Sequence, residues 1–147
     1  MKKLIQGIFL FFILAFLLPS SASAQCKGFA KKICKMELSP YLHDGNYHAA
    51  ILTEGEEAEL YKTFYSDQEY RIAICGSDAL PEIQFEVIDA NRNVLYSNKD
   101  NNYARIWDFR LESSQQLKIA VKVLAVHDNP VEAESGCVAI MFGFREK

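Results

Sequence analysis

The stretch QLKIAVKVL at residues 116–124 alternates apolar and polar side chains and decides the fold class. Its apolar positions share one side of an extended chain, whereas Lys118 and Lys122 lie on the other side. This period of two is typical of a strand in an antiparallel sheet with one buried face. The same alternation recurs at residues 70–74 and 107–111.

Eight segments of this kind follow residue 47, and each is bounded by turn residues such as Gly, Asp, Asn, Ser or Pro. They are residues 47–52, 59–65, 69–75, 83–88, 93–97, 103–111, 116–124 and 137–144. Because helical patterns do not separate them, residues 47–147 are predicted to form a mainly β domain. The expected architecture is an antiparallel two-sheet sandwich of about eight strands with a jelly-roll-like order.

The N-terminus predicts export. Lys2 and Lys3 precede an apolar run at residues 8–18, and Ser21-Ala22-Ser23-Ala24 follows it, so residues 1–24 read as a signal peptide that is cleaved after Ala24. The run has about 11 residues against the roughly 20 that cross a bilayer, so we expect no membrane anchor after cleavage. The mature protein is expected to be a periplasmic or secreted monomer.

The length and the net charge of the mature chain limit its number of domains and its classes of partner. Removing residues 1–24 from the 147 leaves 123, which suits one domain. The removed segment carries two lysines and no acids, so the net charge changes from −3 to −5. This negative charge argues against nucleic acid and anionic membranes as partners.

Residues 25–46 precede the sandwich and are predicted to form a short helix and a connecting loop. Apolar residues recur there at the spacing of one helix face: Cys26, Phe29, Ala30, Ile33 and Cys34. The outward positions of the third and eighth predicted strands carry small or apolar residues where a solvated face has charges: Ala73, Cys75, Cys137, Ala139, Met141 and Gly143. The sequence therefore predicts a helix over residues 25–35 that packs on one sheet.

The four cysteines are predicted to form disulfides, because an even number in an exported chain favours oxidation over metal binding or catalysis. On one helix, the Cα atoms of Cys26 and Cys34 lie about 12 Å apart, beyond the roughly 7 Å limit for a bond between them. The simplest solution joins each of them to Cys75 or Cys137. A bond between Cys75 and Cys137 is the alternative, so the connectivity stays open.

Residues 52–123 also carry a family resemblance. A strand with the sequence YRIAI at residues 70–74 is followed by FEVID at residues 85–89 and NVLY at residues 93–96. This order resembles the pre-peptidase C-terminal type of bacterial β-sandwich, and the chain also resembles small exported bacterial proteins of the same length. The resemblance implies a jelly-roll-like accessory or binding domain of the kind that accompanies secreted hydrolases.

Catalytic patterns are sparse. Motifs such as His-Glu-x-x-His, Gly-x-Ser-x-Gly and the P-loop are absent from the sequence. His43, Asp44 and His48 lie close together, and a general base there is one interpretation. A capped turn ahead of the first strand is the preferred one. We therefore expect a protein without catalytic activity.

Two oxygen-rich segments are candidates for calcium. Residues 89–93 match the first half of an EF-hand loop, but Val94 stands where that loop needs Gly, so a turn is predicted there. Asn98, Asp100 and Asn102 form a second, weak candidate. Otherwise no cofactor is expected.

Ligand binding by aromatic side chains is the last functional signal. Trp107 shares the parity of a core position, whereas Tyr65, Tyr96 and Tyr103 lie at strand ends, where rings stack on sugars. The sequence thus predicts a non-catalytic binding or accessory protein with a carbohydrate or protein ligand. The alternatives are an envelope hydrolase whose site is assembled from distant residues, and a self-associating or interaction protein that uses the uncharged strand at residues 138–144.

Overall fold

A computed structural model of the chain describes residues 21–146. The predicted signal peptide therefore lies outside the described residues, apart from Ser21–Ala24. Helix α1 spans Ser21–Lys32, so it begins before the predicted cleavage position, and cleavage after Ala24 stays a prediction. Within residues 21–146, the helices are all too short or too polar to span a membrane.

Nine strands and two 3₁₀ turns follow helix α1. The strands are β1 (Leu42–His43), β2 (His48–Thr53), β3 (Glu57–Phe64), β4 (Gln68–Gly76), β5 (Ile83–Ile88), β6 (Val94–Ser97), β7 (Ile106–Arg110), β8 (Gln115–Val123) and β9 (Ser135–Glu146). The 3₁₀ turns are Cys34–Leu38 and Asn98–Asn101. Each predicted strand overlaps one of β2 to β9, and β1 is a two-residue addition.

The strands form two antiparallel sheets. One has the order β2-β9-β4-β7, with β1 beside β2 on the same edge of β9, and the other has the order β3-β8-β5-β6. These orders are those of a jelly roll, so the predicted mainly β sandwich is confirmed. The third and eighth predicted strands, which carry the uncharged outward residues, are neighbours in the first sheet, since Ala73 pairs with Met141 and Cys75 with Ala139.

The main core lies between the two sheets. Alternation along β8 buries the four apolar positions of the QLKIAVKVL stretch there, as predicted. Phe64, Phe85 and Phe142 are among the largest fully buried side chains. Trp107 packs at the margin of this core, stacked between Tyr96 and Phe109.

A second apolar cluster lies on the outer face of the first sheet, under the N-terminal segment at residues 21–41. It contains Ala30 from α1, residues Cys34 and Leu38 from the 3₁₀ turn, and four sheet residues: Ala73, Cys75, Ala139 and Met141. The prediction that a helix covers these uncharged positions is therefore confirmed.

The details of this cover differ from the prediction at two residues. Helix α1 ends at Lys32, and Ile33 adopts φ −111° and ψ −61° before the 3₁₀ turn begins. The Ile33 side chain is 51% exposed, whereas the buried positions Cys26, Ala30, Cys34 and Leu38 recur every four residues. Phe29 is only partly buried, at the edge of the cluster.

Gly143 allows the end of the N-terminal segment to approach the sheet closely. A Cβ atom there would lie 2.7 Å from the Cβ of Tyr41, closer than real side chains approach. Arg71 lies over the Tyr41 ring and donates to the carbonyl oxygen of Ser39 at 2.7 Å. It also holds both carboxylate oxygens of Asp108 at 2.7 Å, which fixes the guanidinium.

Candidate functional site

The candidate site is an ordered loop at one end of the sandwich. Residues 124–134 connect β8 to β9 and are called the 124–134 loop below. The turn between β2 and β3, which contains Glu54, lies at the same end and contacts this loop.

The Glu54 carboxylate holds the 124–134 loop through four hydrogen bonds. Its Oε2 atom accepts from the backbone N–H groups of Val126 at 3.0 Å and His127 at 3.1 Å. Its Oε1 atom accepts from His127 Nδ1 at 2.8 Å and from the Glu134 N–H at 3.2 Å. The Glu54 side chain is only 1% exposed, so the loop backbone encloses this carboxylate.

These contacts determine the ionisation of Glu54. Burial alone would raise its pKa, but the hydrogen bonds from Val126, His127 and Glu134 outweigh burial and lower the pKa to about 2. The carboxylate is therefore charged throughout the neutral range, and charged acceptors form the stronger hydrogen bonds. Glu54 is thus the residue that positions the loop.

Local turn chemistry positions Glu54 itself. Gly55 follows it with φ +83°, a conformation that favours glycine, and its N–H donates to the Val123 carbonyl at 2.8 Å. The Thr53 N–H donates to Glu56 Oε2 at 2.7 Å. The turn is thus tied to the end of β8, where the 124–134 loop begins.

The tip of the loop has its own hydrogen bonds and an exposed apolar surface. Asn129 accepts from the Val131 N–H through Oδ1 at 3.1 Å, which is an Asx turn. The Val131 side chain is nevertheless 90% exposed, and Val126 is 62% exposed. The loop also contains Asp128, Glu132 and Glu134 but no Lys or Arg. It therefore presents apolar side chains in an acidic setting on an ordered backbone.

His43 and Asp44 form a capped turn ahead of β2, and His48 is the first residue of that strand. Asp44 accepts from the Asn46 N–H at 2.9 Å and from Lys62 Nζ at 2.8 Å. Burial alone would raise the Asp44 pKa, but these hydrogen bonds lower it. His43 bonds through Nε2 to the Asn46 carbonyl at 2.9 Å, and burial lowers the pKa of His48. The preferred sequence interpretation, a turn, is confirmed.

The three tyrosines proposed as a ligand surface lie apart. Tyr65 is exposed in the turn between β3 and β4, at the end opposite the 124–134 loop. Tyr103 lies in the connection between β6 and β7, at the loop end. The Tyr96 ring stacks on Trp107 at 4.7 Å, at the margin of the core. They therefore do not form one continuous stacking surface.

Asn98, one of the three residues of the weak calcium candidate, has a structural role. Asn98 is buried, and its Oδ1 atom accepts from the Phe85 N–H at 2.8 Å. Its Nδ2 group donates to the carbonyls of Ile83 at 2.9 Å and Ala104 at 3.2 Å. Across residues 21–146, no three His, Cys, Asp or Glu residues are grouped so that they would hold a metal ion.

The EF-hand-like segment forms the predicted turn. One Asp89 oxygen, Oδ1, accepts from the N–H groups of Asn91 and Asn93, both at 2.8 Å. The other oxygen, Oδ2, accepts from Asn93 Nδ2 at 2.9 Å. The carboxylate thus closes the loop between β5 and β6.

The cysteines form one helix-to-sheet disulfide, between Cys26 and Cys137. This bond is one of the predicted pairings, and it makes the alternative bond between Cys75 and Cys137 wrong. Cys34 and Cys75 are both buried with free thiols in this structure, so the second predicted helix-to-sheet bond stays a prediction. A hydrogen bond with Cys75, followed by burial, raises the pKa of Cys34.

Sequence reasoning missed the role of Glu54. Residues 53–55 and 127–130 both carry turn residues, but nothing in the sequence connects the two segments. Glu54 and His127 are 73 positions apart, and a glutamate beside a glycine in a turn is ordinarily solvated. No local pattern in the sequence marks it.

Comparison with known proteins gives a likeness in fold. No family model matches the sequence, and a search of curated proteins finds no match. Among solved structures, the chain is similar to PliG of Aeromonas hydrophila, a periplasmic lysozyme inhibitor of g-type lysozyme. The TM-score is 0.50 at 13% identity, over 72% of this chain and 89% of PliG. At this identity the likeness concerns the fold alone.

Proposed function

We propose that this chain is an exported, non-catalytic β-sandwich protein that binds another protein through the 124–134 loop. The observation that carries the proposal is the loop geometry: Glu54 fixes the backbone, while Val126 and Val131 stay exposed. A contact segment that is ordered before binding loses less conformational entropy in the complex, which favours affinity. Exposed apolar side chains on such a segment supply the contact area.

A lysozyme is the partner class that we propose to test first. PliG, which shares the fold, is a periplasmic inhibitor of g-type lysozyme. The acidic residues of the loop favour a partner with a basic surface, because opposite charges steer association. The predicted signal peptide and the Cys26–Cys137 disulfide agree with an exported protein that meets its partner in an oxidising compartment.

The other candidate sites support a non-catalytic role. Asp44, the carboxylate beside the two histidines ahead of and within β2, accepts hydrogen bonds from Lys62 and from the turn backbone. The Asn98 side-chain amide is hydrogen-bonded to the backbone of β5. The geometry around these residues is that of structural links, which agrees with a binding protein.

The test is inhibition of a g-type lysozyme by the mature protein, with direct binding measured in parallel. We expect inhibition of cell-wall lysis by the wild type. The variant Val131→Asp should bind at least about tenfold more weakly, because a charge replaces an exposed apolar contact. Its matched control is Val94→Asp on strand β6, since Val94 is also exposed, at 54%, but lies outside the loop.

The outcomes separate the parts of the proposal. Binding that Val131→Asp leaves unchanged, or that Val94→Asp weakens equally, would contradict the role of the 124–134 loop. If the wild type neither binds nor inhibits g-type lysozyme, this partner class is wrong.

A further inference from the structure

Two free thiols meet beneath the N-terminal segment. Cys34 and Cys75 both belong to the outer apolar cluster, and both are buried. Cys34 opens the 3₁₀ turn, whereas Cys75 lies near the end of β4. The two side chains are close enough to interact with each other directly.

The existing disulfide accounts for this meeting. Cys137 and Ala139 lie two residues apart on β9 and share a face of the sheet, and Cys75 is the register partner of Ala139 on β4. Cys26 and Cys34 lie eight residues apart on the covering segment. The Cys26–Cys137 bond therefore fixes one end of this segment, and the chain direction then brings Cys34 over Cys75.

We infer that Cys34 and Cys75 form a second disulfide in the exported protein. The cysteines would then make two parallel links from the N-terminal segment to the sheet, one to β9 and one to β4. The second link would close a loop over the 41 positions that separate the two residues in the sequence.

A route for the oxidant exists on one side. Cys75 lines a cavity of about 250 Å³, together with Ile33 and Arg105. Ile33 is largely exposed, so this cavity borders the surface, whereas Cys34 is fully buried. Cys75 is therefore the thiol that an oxidant reaches first.

The chemistry is thiol–disulfide exchange with a disulfide-bearing oxidant. The Cys75 thiol loses its proton to water, and the thiolate attacks one sulfur of the oxidant disulfide, so that the other oxidant sulfur leaves as a thiolate. The Cys34 thiol then loses its proton to water, and its thiolate attacks the Cys75 sulfur of the mixed disulfide. The oxidant sulfur that was bonded to Cys75 leaves as the second thiolate. The two cysteines are oxidised by two electrons, and the oxidant disulfide is reduced to two thiols.

The direct test maps the cysteines of the mature protein after export and purification without reductant. The protein is denatured in iodoacetamide, digested and analysed by mass spectrometry. We expect no alkylated cysteine, and a peptide that contains Cys34 linked to a peptide that contains Cys75. Alkylation of both residues in protein that keeps the Cys26–Cys137 bond would overturn the inference.

A stability measurement tests the same bond independently. The double variant Cys34→Ala/Cys75→Ala should melt on the order of 10 °C below the oxidised wild type, because its unfolded state is less constrained. With reductant present, both proteins lose every disulfide, so the difference that remains measures only the packing of the two side chains and should be clearly smaller than the difference under oxidising conditions. An oxidised wild type that melts together with the double variant would contradict the second disulfide. The peptide map decides the question without any variant if the double variant fails to fold.

Discussion

Two segments lie outside the two sheets and are held in different ways. The N-terminal segment at residues 21–41 buries apolar side chains of Ala30, Cys34 and Leu38 against the first sheet, and a disulfide fixes it. The 124–134 loop keeps residues 125–132 exposed, and the Glu54 carboxylate holds its backbone. The first segment is held mainly through its side chains, and the second mainly through its main chain.

This difference separates a structural segment from a contact segment. Apolar side chains that hold a segment in place are buried against the sheet. A partner protein therefore does not reach them. A loop that is held through its backbone keeps its side chains available, as the exposure of Val126 and Val131 shows. The comparison therefore favours the 124–134 loop as the functional surface, and it predicts which changes affect stability and which affect binding.

The largest expected effect comes from removing the covalent link of the N-terminal segment. The double variant Cys26→Ala/Cys137→Ala should lose about 2 to 5 kcal/mol of unfolding free energy, because the disulfide spans a long stretch of chain. Denaturant unfolding under oxidising conditions measures the loss. Equal stability of the variant and the wild type would show that burial alone holds this segment.

A smaller effect should come from the apolar side chains of the same segment. Leu38→Ala should lower the unfolding free energy by about 2 to 4 kcal/mol, because Leu38 is fully buried in the outer cluster. Ile33→Ala is the matched control and should change it by less than about 0.5 kcal/mol, since Ile33 is half exposed. Comparable losses in the two variants would contradict the burial of Leu38 and the exposure of Ile33.

The two segments also differ in how far the sequence predicts them. Alternation along the strands is a local signal and predicts both the sandwich and the uncharged outer face that includes Ala139 and Met141. The helical cover follows from the need to bury that face. The exposure of Ile33 and the burial of Leu38 do not follow, because the buried positions recur every four residues as far as Leu38, beyond the predicted helix, and Ile33 falls outside them.

The candidate site was less accessible to sequence reasoning. The 124–134 loop reads as a polar connection, and its apolar tip residues Val126 and Val131 are isolated in the sequence. Four of its hydrogen bonds go to one carboxylate from a distant turn, and such a contact leaves no periodic pattern. The Asp89 turn, whose partners lie within four positions, was predictable for the opposite reason.

The smallest effect on global stability, and the largest on the loop, is expected from Glu54→Gln. Glutamine keeps the size of the side chain but removes the charge that attracts four N–H donors, and its amide group cannot accept at both ends. Amide hydrogen exchange at Val126, His127 and Glu134 should become at least about tenfold faster. Exchange in the core strands should stay unchanged.

Low pH should also lower the protection of the 124–134 loop amides against exchange in the wild type. The pKa of Glu54 is lowered to about 2 in the folded loop from its ordinary value of 4.5. The carboxylate therefore stabilises the closed loop fully above pH 4.5, and this stabilisation is lost as the pH falls through about 2. Glu57→Gln is the control, because Glu57 is an exposed glutamate at the same end and pairs with Lys122 instead of the loop. Loop amides that exchange equally in Glu54→Gln and Glu57→Gln at every pH would show that Glu54 does not hold the loop. The contrast between the two segments would then be lost.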